Sequence, residues 1–91
     1  MQKVLLRIHG RVQGVCYRAW AINEATSRGL AGWVRNRHDG TVEVLLAGAE
    51  DTVTEMIDAC KQGPSAAGVT EIEVRVTRQE AGSAFVTRSM A

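Results

Sequence analysis

The 91-residue sequence lacks several features that mark other classes of protein. Its only two cysteines, Cys16 and Cys60, have neither the spacing of a metal-binding motif nor the number that a disulfide framework needs, so we expect two free thiols. No apolar run is long enough to cross a bilayer, and no signal-peptide-like segment follows Met1. These absences argue against a membrane protein and a secreted disulfide scaffold, and we expect one domain, residues 1–91, in the cytoplasm.

A strong excess of one charge is also missing, because eleven Lys and Arg residues nearly balance ten Asp and Glu residues. The net charge of +1 does not indicate a general nucleic-acid binder. The charges are nevertheless uneven: residues 1–37 contain seven basic residues and one acidic residue, whereas residues 38–91 contain four and nine. If this bias survives folding, the first part of the chain carries a positive field that attracts a small anion.

Hydrophobic periodicity predicts five strands and two helices. Val4, Leu6 and Ile8 alternate with other residues, which is typical of a strand with one apolar face. An apolar stripe that begins at Val53 and ends at Cys60 has helical spacing. The predicted order is strand 4–9, helix 18–28, strand 32–37, strand 41–47, helix 50–62, strand 71–77 and a short strand 84–88.

This order of elements is that of the split βαβ, or ferredoxin-like, arrangement. Asp39 and Gly40 form a strong hairpin signal between the second and third strands. We therefore expect an α+β fold, in which two helices cover one face of a mostly antiparallel sheet and the first and third strands lie in its centre. We expect the short last strand at an edge, and we expect Ile72, Val74 and Val76 to share one apolar face of strand 71–77.

Residues 10–18, Gly-Arg-Val-Gln-Gly-Val-Cys-Tyr-Arg, join the first strand to the first helix and have the composition of an anion-binding loop. Gly10 and Gly14 permit turn angles at which successive backbone N–H groups point into one concavity. The helix N-terminus adds partial positive charge, and the planar guanidinium of Arg18 matches phosphate oxygens in pairs. From these residues alone, an ordinary strand-to-helix loop with an exposed arginine is an equal alternative.

A second segment makes the pattern more specific. Residues 32–36, Gly-Trp-Val-Arg-Asn, are followed at residues 39–43 by Asp-Gly-Thr-Val-Glu. Together with residues 10–18, these segments resemble the two signatures of the acylphosphatases, and the similarity continues through residues 63–66 and 85–88 to cover nearly the whole chain. The resemblance implies the ferredoxin-like fold and a small hydrolase of carboxyl–phosphate mixed anhydrides that uses no cofactor and no metal.

The resemblance also implies roles for individual residues. Arg18 is expected to be the catalytic arginine that binds phosphate, and Asn36 the asparagine that orients the attacking water. The phosphate cradle maps onto Gln13, Gly14, Val15, Cys16 and Tyr17, mainly through their backbone N–H groups. Without the resemblance, Asn36 is more simply a turn-forming residue before Asp39 and Gly40.

Three side chains around these motifs carry separate expectations. Family members often have Gly and Phe where this chain has Cys16 and Tyr17, and the Tyr17 hydroxyl has no use that the sequence reveals. A cysteine nucleophile is not favoured, because one residue separates Cys16 from Arg18, whereas the tyrosine phosphatases place five between cysteine and arginine. Arg35 is expected to be a solvated or steering charge.

Two other functions compete with a monomeric enzyme that acts on a small-molecule acyl phosphate and binds neither nucleic acid nor membrane. The first is a non-catalytic module with the same fold, which senses anions or binds another protein. The second is an RNA-binding domain, because RNA recognition modules share this element order. Those modules stack bases on aromatic residues of the sheet, and the predicted strand 41–47 has no aromatic residue, so this alternative ranks last.

Overall fold

Five β-strands and two α-helices follow one another along the chain in the predicted order. The computed structural model describes all residues, 1–91. The elements are β1 (Gln2–Arg11), α1 (Tyr17–Ser27), β2 (Ala31–Asn36), β3 (Val42–Gly48), α2 (Glu50–Gln62), β4 (Gly68–Val76) and β5 (Phe85–Thr87). Strands β1 and β4 are longer than predicted, and neither helix has the length and hydrophobicity needed to cross a membrane.

The five strands form a single sheet in the order β4-β1-β3-β2-β5. The neighbours β1–β4, β1–β3 and β2–β3 are antiparallel, and only β2–β5 is parallel. The predicted ferredoxin-like arrangement is confirmed, with β1 and β3 in the middle and the short β5 at one edge. Because β5 pairs with β2, the last residues of the chain lie beside the end of β2.

The core lies between the helices and one face of the two central strands. The inward side chains of β1 are Val4, Leu6 and Ile8, each at most 2% exposed. The helical stripe predicted from the sequence packs on them through residues such as Val53 and Cys60, which are fully buried. Burial of such side chains contributes roughly 1.5–3 kcal/mol each, which makes this layer the main source of stability.

The expected apolar face of β4 is only partly buried. Ile72 packs against the core, but Val74 and Val76 are 50% and 78% exposed. The alternation was interpreted correctly, since Val74 pairs with Leu6 and Val76 with Val4 of β1. The three side chains therefore share one face as predicted, and Val74 and Val76 are exposed because β4 is an edge strand of the sheet.

The sheet face that carries no helix contains a second small apolar cluster. Trp33 and Leu45 are 2% and 0% exposed there. The guanidinium groups of Arg35 and Arg88 lie 4.8 Å and 5.1 Å from the centre of the Trp33 ring, within the range of cation–π attraction. Arg35 Nε also donates to the buried Glu43 carboxylate at 2.7 Å. The expectation that Arg35 is a solvated charge was therefore wrong.

Candidate active site

The loop between β1 and α1 has the backbone geometry of an anion-binding nest. We call residues 13–17 the cradle loop. Gly14 and Cys16 have left-handed φ values of +75° and +62°, and the N–H groups of Gly14, Val15 and Cys16 have no acceptor within the protein. The buried side chain of Val15 anchors the loop to the core. The loop therefore presents unpaired donors without being loosely attached.

Helix α1 begins directly after this loop, with its N-terminus unblocked. Cys16 is the N-cap residue but makes no side-chain capping bond, and the first turn contains no acidic residue. The first N–H groups of a helix have no intrahelical acceptor, so they leave partial positive charge at this end. Arg18, in the first turn, is exposed, and no carboxylate lies within ion-pair distance of it.

Tyr17 fixes the junction of the cradle loop and α1 to the far end of α2. Its hydroxyl donates a 2.6 Å hydrogen bond to the carbonyl oxygen of Cys60, and the residue is 2% exposed. A Cβ atom on Gly63 would lie 2.7 Å from a carbon of the Tyr17 ring, so the glycine makes room for the aromatic side chain. Burial raises the pKa of Tyr17, which keeps the hydroxyl protonated as a donor. This contact gives the hydroxyl a structural use that the sequence did not reveal.

Gln13 connects the cradle loop to the hairpin between β2 and β3. Its side-chain Nε2 donates to the carbonyl oxygens of Arg37, at 2.7 Å, and Thr41, at 2.9 Å. These carbonyls lie on the two sides of the hairpin turn that follows β2. The side chain of Gln13 therefore holds the loop against the end of the strand that carries Asn36.

Asn36 is the last residue of β2 and is half-buried. Its carbonyl oxygen accepts from the Ala91 N–H at 3.1 Å, while its side-chain amide makes no hydrogen bond within the protein. The hairpin turn is instead stabilised by Asp39, whose carboxylate accepts from both the N–H and the hydroxyl of Thr41. The amide of Asn36 is thus not needed for the turn and is left free to contact something else.

Residues from both sequence motifs line one open cleft of about 500 Å³. Arg18, Gly14, Cys16 and Tyr17 come from the first motif, and Asn36 comes from the second. The remaining lining residues are Val12, Ala19, Ile22 and Thr87. Gln13 and Val15 belong to the cradle loop, but their side chains do not line the cleft, because that of Gln13 is bonded to the hairpin and that of Val15 is buried.

Four of the lining residues were not predicted as part of the site, and the first of them, Val12, directly precedes the cradle loop. Ala19 and Ile22 follow Arg18 on α1, so their position could have been inferred from helical spacing. Thr87 comes from β5 and reaches the cleft because it pairs with Val34 of β2. A parallel pairing between a three-residue strand and a distant one has no local signal in the sequence.

Fewer unpaired positive charges surround the cleft than the distribution of basic residues in the sequence predicted. Arg35 and Arg37 both contact the carboxylate of Glu43, and Arg28 contacts that of Glu24. Folding thus neutralises several basic residues of the first part of the chain. Arg18 remains as the only charged residue that lines the cleft. No group of three or more His, Cys, Asp or Glu side chains converges in the structure.

Comparison with known proteins agrees with the resemblance of the two motifs. A family model described as Acylphosphatase matches residues 4–87. The chain belongs to the acylphosphatase family. The expected class of enzyme, an acylphosphatase, is thereby confirmed.

Individual acylphosphatases are similar to this protein over most of its length. One from Rhodopseudomonas palustris (strain BisB5) is 58% identical over 74 residues, which are 81% of this chain and 75% of that relative. One from Azoarcus sp. (strain BH72) is 56% identical over 81 residues, which are 89% and 83% of the two chains. The crystal structure of acylphosphatase from Bacillus subtilis superposes with a TM-score of 0.90 at 39% identity, and covers 97% of this chain and 99% of that one. The structural similarity supports the same ferredoxin-like fold.

Proposed function

We propose that this protein hydrolyses the carboxyl–phosphate bond of small acyl phosphates to a carboxylate and inorganic phosphate. In this proposal Arg18 and the N–H groups of the cradle loop bind the phosphoryl group, and Asn36 orients the attacking water. The observation that supports it most strongly is the shared cleft, in which an unpaired arginine, unpaired loop amides and an unpaired asparagine amide meet.

The binding step needs donors for the equatorial phosphoryl oxygens. Phosphoryl transfer spreads negative charge over those oxygens, so catalysis depends mainly on positioning and on neutralising that charge. Arg18 supplies a planar pair of donors, and the N–H groups of Gly14, Val15 and Cys16 supply fixed dipoles whose orientation requires no rearrangement.

The chemical step needs little further assistance. The water oxygen attacks phosphorus, the bond from phosphorus to the acyl oxygen breaks, and its electron pair leaves with the carboxylate. The conjugate acid of that leaving group has a pKa of about 4, so it departs without a general acid. The Asn36 amide oxygen can accept a hydrogen bond from the water while its NH2 group donates to a phosphoryl oxygen, which aligns the water for in-line attack. The proton that water loses passes to the released phosphate or to solvent.

The direct test is turnover of benzoyl phosphate by the purified protein with EDTA present, followed as release of inorganic phosphate. We expect turnover by the wild type and by Arg78→Ala, and no turnover by Arg18→Ala. Arg78 is the matched control because it is also an exposed arginine without an ion pair, but it lies outside the cleft. A folded wild-type protein that binds phosphate but hydrolyses no acyl phosphate at high concentration would instead be the anion-sensing module considered above.

Two expectations from the sequence stay predictions within this proposal. They are the cytoplasmic location and the monomeric state. A sedimentation measurement of the purified protein across a range of concentrations tests the second.

A further inference from the structure

The cleft extends beyond the groups assigned to the phosphoryl end of the substrate. At about 500 Å³ it falls within the usual range of small-molecule sites. Arg18, the cradle loop and Asn36 account for the phosphoryl group and the water. The side chains of Ala19, Ile22 and Thr87 have no role in that assignment, yet they line the same space.

These three residues form two walls of the cleft, one on α1 and one on β5. Ala19 and Ile22 lie on α1, and Ile22 is one helical turn after Arg18, so both project from the same side of the helix. Thr87 lies on β5, which is next to α1 in the fold. Ile22 is only half-buried although it packs against the core, so part of an apolar side chain faces the open space.

The walls contain no cation that could receive a second negative charge. Arg18 is the only charged residue of the cleft, and a bound phosphoryl group occupies it. Arg88, the next residue after Thr87, is turned to the other face of the sheet, where it covers the Trp33 ring. An acyl group with its own carboxylate would lose hydration against Ile22 and gain no partner, which is unfavourable.

We propose that Ala19, Ile22 and Thr87 form an acyl subsite that takes an uncharged, apolar acyl group and discriminates against acyl groups that carry a second carboxylate. This inference rests on the proposed function, because it assumes that the phosphoryl end binds at Arg18. It deepens that function by naming the class of acyl phosphate that the enzyme prefers.

The test compares three acyl phosphates within each variant: benzoyl phosphate, acetyl phosphate and succinyl phosphate, the last with a second carboxylate. For each variant, the kcat/KM of benzoyl phosphate and that of succinyl phosphate are divided by the kcat/KM of acetyl phosphate, which gives a benzoyl ratio and a succinyl ratio. Each ratio is then divided by its wild-type value, so that the intrinsic reactivity of the substrates cancels. Ile22→Ala should lower the benzoyl ratio by about 4-fold, the scale expected from losing about one buried methylene of contact. Val86→Ala is the matched control, because Val86 adjoins Thr87 but lines the cavity beside Trp33 and should leave both ratios unchanged.

A second variant keeps the inference testable if Ile22→Ala folds poorly. Ala19 is exposed, so Ala19→Lys should fold, and it places a cation in the proposed acyl wall. It should raise the succinyl ratio by about 2-fold to 5-fold, the scale of an exposed ion pair. Parallel changes for all three substrates in the folded variants would overturn the acyl subsite while leaving the hydrolase intact. Failure of the proposed function has a different signature, in which wild type hydrolyses none of the three and inorganic phosphate does not compete.

Discussion

The side chain of Gln13 donates a 2.7 Å hydrogen bond to the carbonyl oxygen of Arg37, the residue directly after Asn36. A second bond from the same amide reaches Thr41 across the turn. The loop that presents unpaired N–H groups and the strand end that presents Asn36 are therefore joined by one side chain. Together with the pairing of β1 and β2 to β3, this link joins the two parts of the chain that form the cleft.

Removal of that link should affect stability and turnover together. Gln13→Ala removes two hydrogen bonds, each contributing roughly 0.5–1.5 kcal/mol to the unfolding free energy. The two carbonyl oxygens keep their backbone donors, the N–H groups of Gly40 and Arg37. We expect kcat to fall as well, because the end of β2 that carries Asn36 is no longer bonded to the cradle loop. Urea unfolding and benzoyl phosphate kinetics measure the two effects. Gln62→Ala, at an exposed glutamine at the end of α2, is the control and should change neither the unfolding free energy nor kcat. A Gln13→Ala protein with wild-type kcat would show that the link is not needed for catalysis.

The Tyr17 hydroxyl should contribute to stability and not to phosphate binding. Tyr17→Phe retains the ring but leaves the Cys60 carbonyl oxygen unpaired in a buried site, so we expect a loss of roughly 1–3 kcal/mol in unfolding free energy. Phosphate affinity should stay within about 2-fold of wild type, because the proposed cradle uses backbone donors. Ser27→Ala removes an exposed hydroxyl that also donates to a carbonyl, and should be nearly neutral. Loss of phosphate binding in a folded Tyr17→Phe protein would assign the hydroxyl to the site.

The two thiols should differ sharply in reactivity. Cys16 is exposed, whereas Cys60 is fully buried, and burial raises the pKa of Cys60 to about 12. A disulfide reagent at pH 8 should therefore titrate one thiol in the native protein and two after denaturation. Cys16→Ser should abolish the native reaction and retain most of the turnover, because the cradle is proposed to act through backbone N–H groups. Complete loss of turnover in folded Cys16→Ser would support a thiol nucleophile instead.

Asp39 should make stability depend on acidity at low pH. Hydrogen bonds from Thr41, with a smaller contribution from Arg37, lower the pKa of Asp39 from 3.8 to about 2. The folded state thus favours the ionised form, so the stabilisation is complete above about pH 4 and is lost as the pH falls towards 2. The stability difference between wild type and Asp39→Asn should be larger at pH 6 than at pH 2 in urea unfolding. Asp58→Asn, at an exposed carboxylate that accepts no hydrogen bond, controls for the loss of a surface charge. If the difference in unfolding free energy between wild type and Asp39→Asn does not change with pH, the role of Asp39 is contradicted.

Local chemistry explains why much of the site could be predicted from the sequence. Gly14 and Arg18 belong to one short motif, four residues apart, and Asn36 ends a strand just before an obvious turn, so local sequence places each of them. Their meeting in one cleft follows from the βαβ order. What the sequence did not show is non-local: Thr87 enters the cleft only through the pairing of β5 with β2, and Arg35 meets Glu43 only through the register of β2 on β3.

The same limit applies to the edge of the sheet. The alternation of Ile72, Val74 and Val76 shows which side chains share a face, because strand periodicity is a local property. It does not show whether a helix covers that face, since this depends on the position of β4 in the sheet. Only the strand order made Val76 an exposed residue.

The central claim is a division of labour between Arg18, which binds the phosphoryl group, and Asn36, which orients water. The most direct measurement pairs phosphate affinity by calorimetry with kcat on benzoyl phosphate for Arg18→Ala and Asn36→Ala. Asn23→Ala serves as a control at an exposed asparagine outside the cleft, and circular dichroism monitors folding.

We expect Arg18→Ala to lose phosphate affinity by about 10-fold or more together with its turnover, because charged hydrogen bonds of this kind contribute roughly 1.5–3 kcal/mol. Asn36→Ala should keep its phosphate affinity while kcat falls by about 10²-fold, the scale seen when one positioned polar group is removed. If folded Asn36→Ala loses phosphate binding as severely as Arg18→Ala, or keeps the full kcat, the division of labour is wrong.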